Sequence, residues 1–465
     1  MSDSSRDLTK GSIIHAILQL ALPMIVGVVA VMSVSLVDTY FVGKLGTDEL
    51  AALAFTFPVS LAIASLSSGL GAGAASVVSR AIGAKNTKNA KRLSTDSLIL
   101  ASVLVSLISV IGLFTIEPLF SLLGAQGAVL SLIERYMWIW YMSMPFLVIP
   151  MVANAIIRSV GDAFWPSMVM IAAAAINVIV TPILIFGWGP IPALNIEGAA
   201  YGTLIARVTT LIFALYIAYY REELISLARP ALSEVKASFI QVLKIGIPAG
   251  VGSVVNPVGI AVVTAILAGY GASTVAAFGV ATRIEFFACI PMLALSAAIG
   301  PIAGQNWGAN NKARVLSALK TCYVICIGWS VLLAVILYFI AEPIAAFLSS
   351  NDEVSAEAAL YLSVVSFSLV GYGVVIVSSA AFNSLGRSVT GLSYYLMRSA
   401  VLYVPLSLLA SFLADTQAIY MAIAVSNAVA GVLVGSYSIW WLNKAEQFDC
   451  EPLPLGERQW QYSSW

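Results

Sequence analysis

Twelve runs of about 20 or more mainly apolar residues follow one another along the chain, at 13–40, 50–76, 93–115, 131–156, 166–187, 198–219, 239–269, 275–302, 318–340, 357–382, 392–413 and 417–442. A hydrocarbon core about 30 Å thick takes about 20 helical residues to cross, and in lipid each backbone amide must be paired inside its own segment. The runs therefore predict an all-α integral membrane protein of twelve transmembrane helices. Composition agrees, since 60% of the 465 residues are hydrophobic and only 10% are charged, far from the balance of soluble domains. Prolines inside the runs, Pro23, Pro58, Pro182 and Pro248 among them, read as kinks rather than as breaks. No small-residue cleavage site interrupts the first run, so a retained helix is expected rather than a removed signal peptide.

Basic residues set the expected orientation. With a cytoplasmic N-terminus, nineteen Lys and Arg, Arg398 among them, fall on that side and only Lys44 and Arg135 on the other, leaving Arg207 and Arg283 within helices. The positive-inside rule then predicts both termini in the cytoplasm. Zero formal net charge gives no basic field for nucleic acid. One His and four Cys show no metal-site spacing, and Cys322 and Cys326, at i, i+4 in an apolar helix, read as packing residues. No HExxH, no GxSxG with a His partner, no pair of membrane carboxylates and no repeated filter loop is present, so neither an enzyme nor a channel is expected.

The chain repeats itself. A shift of 225 residues places Pro23 on Pro248, Gly46 on Gly271, Gly83 on Gly308, Glu117-Pro118 on Glu342-Pro343 and Gly161 on Gly386. Six helices per half is an even number, so the halves run parallel about an axis along the membrane normal, as in secondary transporters. The expected division is a first lobe at 1–222, a second at 223–444 and a short cytoplasmic tail at 445–465, with the charged stretch 221–238 as the connection.

Asp38 is the most informative polar residue. An ionised Asp at membrane depth costs about 2.5–3.5 kcal/mol on insertion scales and marks ion or proton pathways. The competing reading places it at the interface, where a first run of 28 residues would extend roughly 42 Å. The repeat favours function: position 38 falls on Val263 and Asn177 on Leu402, so kinks and loops recur while these polar groups do not. Asn177 and Thr181 share a helix face at i, i+4, beside Pro182, with helix–helix adhesion as the competing role. Thr203 faces Arg207, which either snorkels or pairs with Asp38, and the second option would weaken a proton role. Asn154 and Arg158 form a further i, i+4 pair. Arg283 and Glu285 need partners elsewhere and read as structural.

The opening LALPMIVGVVAVMSVSLVDTYFVGKLG, the loop RAIGAKN with its echo GQNWGAN, and NAIIRSVGDAFWP together resemble the multidrug and toxic compound extrusion (MATE) transporters over roughly residues 13–442. The resemblance implies a V-shaped pair of six-helix lobes that expels amphiphilic, often cationic drugs and dyes in exchange for inward-moving H⁺ or Na⁺. In its DinF-like branch Asp38 matches the aspartate that takes up the coupling ion and Pro23 the proline about which the first helix bends. Asn177 and Thr203 match polar positions lining that lobe, and Tyr136 a fourth-helix tyrosine.

Where some relatives carry a second acidic residue, this chain has Thr181, which favours H⁺ over Na⁺, because a hard cation bound without water wants more negative oxygen. The coupling set is thus expected at Asp38, Asn177, Thr181 and Thr203, and the substrate set at Asp38, Tyr136, Asn154 and Asn177. No cofactor beyond the coupling ion is expected, and the protein should work as a monomer in the lipid bilayer. A lipid-linked oligosaccharide flippase of the same superfamily is the other transporter reading; those relatives commonly have fourteen helices and a basic cavity.

Overall fold

A computed structural model describes residues 7–226, 231–349, 351–413 and 415–447. Among them there is no β-strand, only an isolated bridge between Trp188 and Ile191. The spans are α1 (Ile13–Gly43), α2 (Thr47–Gly83), α3 (Thr87–Phe114), α4 (Gly127–Ser159), α5 (Phe164–Phe186), α6 (Asn195–Arg221), α7 (Leu232–Ala268), α8 (Ala272–Ala288 with Ile290–Gly308, bent by 43°), α9 (Lys312–Leu348), α10 (Asp352–Ser384), α11 (Ser388–Ser411) and α12 (Thr416–Glu446). Each expected run finds its helix. Most helices start before the apolar runs because their first turns are polar: Asp48 and Glu49 open α2, where acidic side chains complement the helix dipole.

The connection between halves is shorter than the sequence implies. α7 begins at Leu232, with Glu234 accepting a hydrogen bond from the Ala231 backbone N–H at 3.3 Å, a first-turn cap that draws the charged stretch into the helix. Pro230, and the tail beyond Gln447, lie outside the described residues.

The repeat is legible in the backbone. Asn86 and Asn311 each cap the helix they precede, accepting from the N–H of Asn89 at 3.0 Å and of Arg314 at 3.3 Å. Just before them Lys85 and Asn310 take left-handed conformations with φ of 58° and 59°, and Gly161 and Gly386 do so with φ of 91° and 83°. Glycine turns this way without strain, which is why it recurs at 161 and 386, whereas Lys85 and Asn310 share the turn with different side chains.

The halves meet along a seam that obeys the same symmetry. α2 packs on α7, α1 packs on α8, and α2 and α8 meet each other. Gly83 leaves no room for a side chain: a Cβ there would stand 2.8 Å from Gln305 Cα. One at Gly308 would stand 2.9 Å from Arg80 Cα, and one at Gly69 2.8 Å from Gly250 Cα. Small residues let membrane helices approach backbone to backbone, so dispersion and carbonyl contacts replace the hydrophobic drive that lipid removes.

Polar bonds close the end that carries the N-terminus. Ser76 Oγ donates to Asn383 O at 2.7 Å and Gln305 Nε2 to Ser159 O at 2.8 Å. Arg314 gathers the segment before α1 by donating to the carbonyls of Leu8, Lys10 and Gly11 at 3.2, 2.7 and 2.9 Å. Among the described residues no hydrogen bond or ion pair joins the lobes at their far ends, so the pair of lobes is held shut at one end only.

α1 belongs to both lobes. Ala16, Ile17, Leu20, Ala21 and Met24 are buried in the same apolar core as Ile299 and Ile302 of α8. Gly27 then lies against Ser167 and Met170 of α5. Beyond it only Val42 is buried, and the half of α1 that carries Asp38 runs along α5 as far as Phe41, whose ring meets that of Phe186 edge-on at 6.1 Å. The helix runs through Pro23 without interruption.

Candidate functional site

In the first lobe the site is assembled by α5 and α6. Gly198 and Gly202 are four apart on α6, and a Cβ at either would stand 2.6 Å from Ile185 N or 2.8 Å from Thr181 Cα. This small-xxx-small face brings α6 hard against α5, so that Thr203, next to Gly202, accepts a hydrogen bond from Asn177 Nδ2 at 3.3 Å. The spacing G-x-x-x-G was available in the sequence as a reason for that contact.

α4 supplies the opposite wall. Tyr136, Trp140 and Ser143 recur at i, i+4 and i+7 on one face. Arg207 of α6 donates to Ser143 Oγ and lies over the Trp140 ring at 5.3 Å from its centroid. Asp38, Tyr136 and Arg207 are close enough for their charges to act on one another. Asp38 and Arg207 nevertheless form no ion pair, and Arg207 does not snorkel: it is held inward by hydroxyl and ring. Both options read from the sequence for this arginine are thereby replaced.

What is left over defines the chemistry. Asp38 Oδ1, Asn177 Oδ1, Thr181 Oγ1 and Asn154 Oδ1 are buried without a hydrogen-bond partner. Buried polar atoms are rarely left so, and three of the four atoms can only accept. The shared deficit is of donors. Thr181, fully buried, lies in the α5–α6 contact against Gly202. The expected Asn154–Arg158 pair is not formed: Asn154 is buried on α4 with Oδ1 free, because the helix turn alone does not bring the two polar ends together. Tyr136 is buried at 8% exposure.

The second lobe holds a polar cluster that the sequence reading missed. Arg398, assigned there to the cytoplasmic side, is 3% exposed inside α11, within the π-helical turn Met397–Tyr403, a local widening often found at functional sites. It donates to Asn256 Oδ1 of α7 at 2.6 Å and to Asn427 Oδ1 of α12 at 2.9 Å. Glu285 of α8 accepts from Tyr361 Oη of α10 at 2.6 Å, while Arg283 is exposed. The available signal was the run 392–413 itself, which begins before Arg398 and so carries the charge inside the span. Cys322 and Cys326 are buried and free, and no grouping of His, Cys, Asp and Glu that could hold a metal occurs among the described residues.

These features can be set against known proteins. The MatE family profile matches this chain twice, at residues 23–183 and 248–409, and the two matches begin at Pro23 and Pro248, the repeat's own offset. A FAD transporter of Shewanella oneidensis is 36% identical over 90% of this chain and 92% of its own length. The multidrug export protein MepA of Staphylococcus saprophyticus is 23% identical over 91% and 93%. Among solved structures, the Vibrio cholerae MATE transporter VcmN in its bent form superposes with a TM-score of 0.88 at 28% identity, covering 96% of this chain and 99% of that one. The twelve-helix, two-lobed chain belongs to the MatE family of multi-pass membrane transporters.

Proposed function

We propose that the protein is an antiporter that exports amphiphilic organic compounds, drugs and dyes among them, in exchange for protons bound at Asp38. The observation that carries this reading is the buried, unpartnered Asp38 Oδ1, in a lobe where Asn154 Oδ1 and Asn177 Oδ1 also lack a donor. A proton supplies the missing donor and removes the charge whose burial is expensive. Na⁺ is the poorer fit. Asp38 is the one carboxylate of the cluster, its neighbours are neutral oxygens, and the guanidinium of Arg207 repels a metal cation.

With the N-terminus in the cytoplasm of a bacterial inner membrane, the sealed end faces inward and the cleft opens outward. A cationic cargo is then held by ionised Asp38. A proton entering from outside neutralises the carboxyl, the cargo loses its counter-charge and leaves, and α1 bends near Pro23 as the lobe rearranges. Substrate contacts in this scheme come from Asp38, Tyr136, Asn154 and Asn177, with Thr203 holding Asn177 in place and Thr181 completing the coupling set, and one chain suffices.

The test is ethidium transport in everted membrane vesicles under an imposed pH gradient and, separately, a Na⁺ gradient. The pH gradient should drive uptake and the Na⁺ gradient should not, and Asp38→Asn should abolish it at parental expression. An Asp38→Asn protein that pumps like the parent refutes the scheme.

The FAD transporter at 36% identity favours a second reading of the cargo. FAD is aromatic and carries two phosphates, so it would not compete for Asp38 by charge. Accumulation of FAD in the same vesicles, unaffected by ethidium, would assign it as cargo.

A further inference from the structure

The second-lobe cluster has no part in the scheme above. Glu285 is half-buried and lines a small cavity of about 40 Å³ together with Asn256, Tyr361, Tyr372, Arg398 and Tyr403. Tyr361 stands 225 residues after Tyr136, and Ser368 the same distance after Ser143. In the first lobe Ser143 holds Arg207 directly; in the second, Ser368 accepts from Asn427 Nδ2 at 3.1 Å while Asn427 holds Arg398. Each lobe therefore surrounds one carboxyl and one guanidinium with a tyrosine and a serine from matching positions. The charged residues themselves do not match. Asp38 comes from α1 and Glu285 from α8, Arg207 from α6 and Arg398 from α11, so the grouping was built twice from different positions rather than copied.

We infer that Glu285 is a second proton-binding carboxyl, exchanging through that cavity, and that transport is coupled to two protons, one in each lobe. The count of two rests on the proposed role of Asp38. The cavity has room for a water or two and is far below the several hundred Å³ of a drug-sized pocket, so its ligand is small. The ionisable and charged groups around Glu285 are Cys289 on its own span, Tyr361 and Tyr372 from α10, and Arg398 and Tyr403 from α11. α7 and α12 contribute the neutral Asn256 and Asn427. Among the described residues Arg398 is thus the one fixed cation at the cluster, and it works against a metal ion but not against a neutral, protonated carboxyl.

Neutral Glu285 leaves Arg398 bonded to Asn256 and Asn427. Ionised Glu285 pulls the guanidinium toward itself and loosens those bonds, which tie α11 to α7 and α12. Asn256 lies six residues beyond Gly250, whose Cα faces Gly69 of the first lobe, so a change of proton occupancy reaches the seam.

The experiment uses the purified full chain in proteoliposomes, with ethidium as probe and the membrane potential clamped at zero. Under a gradient of one pH unit each coupled proton sustains a tenfold cargo gradient. At zero net flux the parent should hold about a 100-fold ethidium gradient and Glu285→Gln, which keeps an acceptor for Tyr361, about a tenfold one. A parent that holds only tenfold, or a variant that still holds 100-fold, overturns the proposal.

If Glu285→Gln does not reconstitute, labelling of the parent by dicyclohexylcarbodiimide decides, because the reagent modifies protonated carboxyls in apolar surroundings. Peptide mass spectrometry should find Glu285 modified, less so as pH rises, in the parent and in Asp38→Asn. Labelled Asp38 with unlabelled Glu285 at every pH overturns the second site. Labelled Glu285 with unlabelled Asp38 keeps this site and removes the first.

Discussion

Replacing Gly83 by Ala tests whether the sealed end of the bundle is set by backbone contact. The added Cβ would overlap the carbonyl oxygen of Gln305 and stand 2.6 Å from its carbonyl carbon, against the 3.4 Å at which ordinary contact begins. Backbone atoms of a helix cannot rotate aside as a side chain would, so α2 and α8 must part by more than about 0.8 Å or distort, an overpacking that typically costs about 1–3 kcal/mol. If the opposite state does not form this contact, that cost acts on the inner-sealed state alone. It displaces the equilibrium by roughly 5- to 150-fold toward opening at this end.

Spin labels at the exposed Lys88 and Lys320, in a Cys450→Ser background that leaves only the buried cysteines, report the separation of the lobes by pulsed dipolar spectroscopy. Gly83→Ala should populate a longer distance. Gly308→Ala should do the same, since its Cβ meets Arg80 symmetrically, whereas Gly328→Ala, with nothing within 4 Å, should match the parent. Unchanged distances and unchanged thermal stability in Gly83→Ala would refute the reasoning.

Other outcomes follow from the same contacts. Arg207→Gln keeps a donor for Ser143 but removes the cation beside Asp38, and should let a Na⁺ gradient drive ethidium transport that the parent does not support. Arg314→Ala deletes three bonds to backbone carbonyls, each worth about 1.5–3 kcal/mol when the donor is charged, and should speed amide hydrogen exchange over residues 8–12 by tenfold or more. Pro23→Ala restores a helix bond to the carbonyl of Gln19 and removes a strain of about 3 kcal/mol. It should leave expression and helicity intact while slowing transport, and undiminished transport would show that α1 does not bend there.

Much of the fold was legible because lipid is a simple solvent: twelve runs gave twelve helices, and one shift of 225 residues gave the symmetry later seen in the loops at Asn86 and Asn311. The first-lobe polar groups were legible for the same reason, each being costly enough to notice singly. What was not legible was direction. Arg207 stood on the right helix, but only packing shows that Trp140 and Ser143 hold it away from an ion pair with Asp38. Asn154 and Arg158 had the spacing of partners and are not. Arg398 was assigned to the water because its run begins only six residues earlier, and a π turn that buries it leaves no periodic trace in one sequence.

The division into lobes also needs α1 to be understood as a bridge. Its first half is fixed in the second lobe's core, from Ala16 to Met24, and is strapped at its start by Arg314 of α9. Its second half carries Asp38 into the first lobe and is buried only at Val42 beyond Gly27. Pro23, one residue before Met24, therefore stands near the boundary between the part packed on the second lobe and the part packed on the first. In the proposed scheme a proton taken up at Asp38 acts on one arm of a helix whose other arm belongs to the opposite lobe. The charge change and the sealed seam are thereby mechanically connected through a single helix, without any chain of side chains between them.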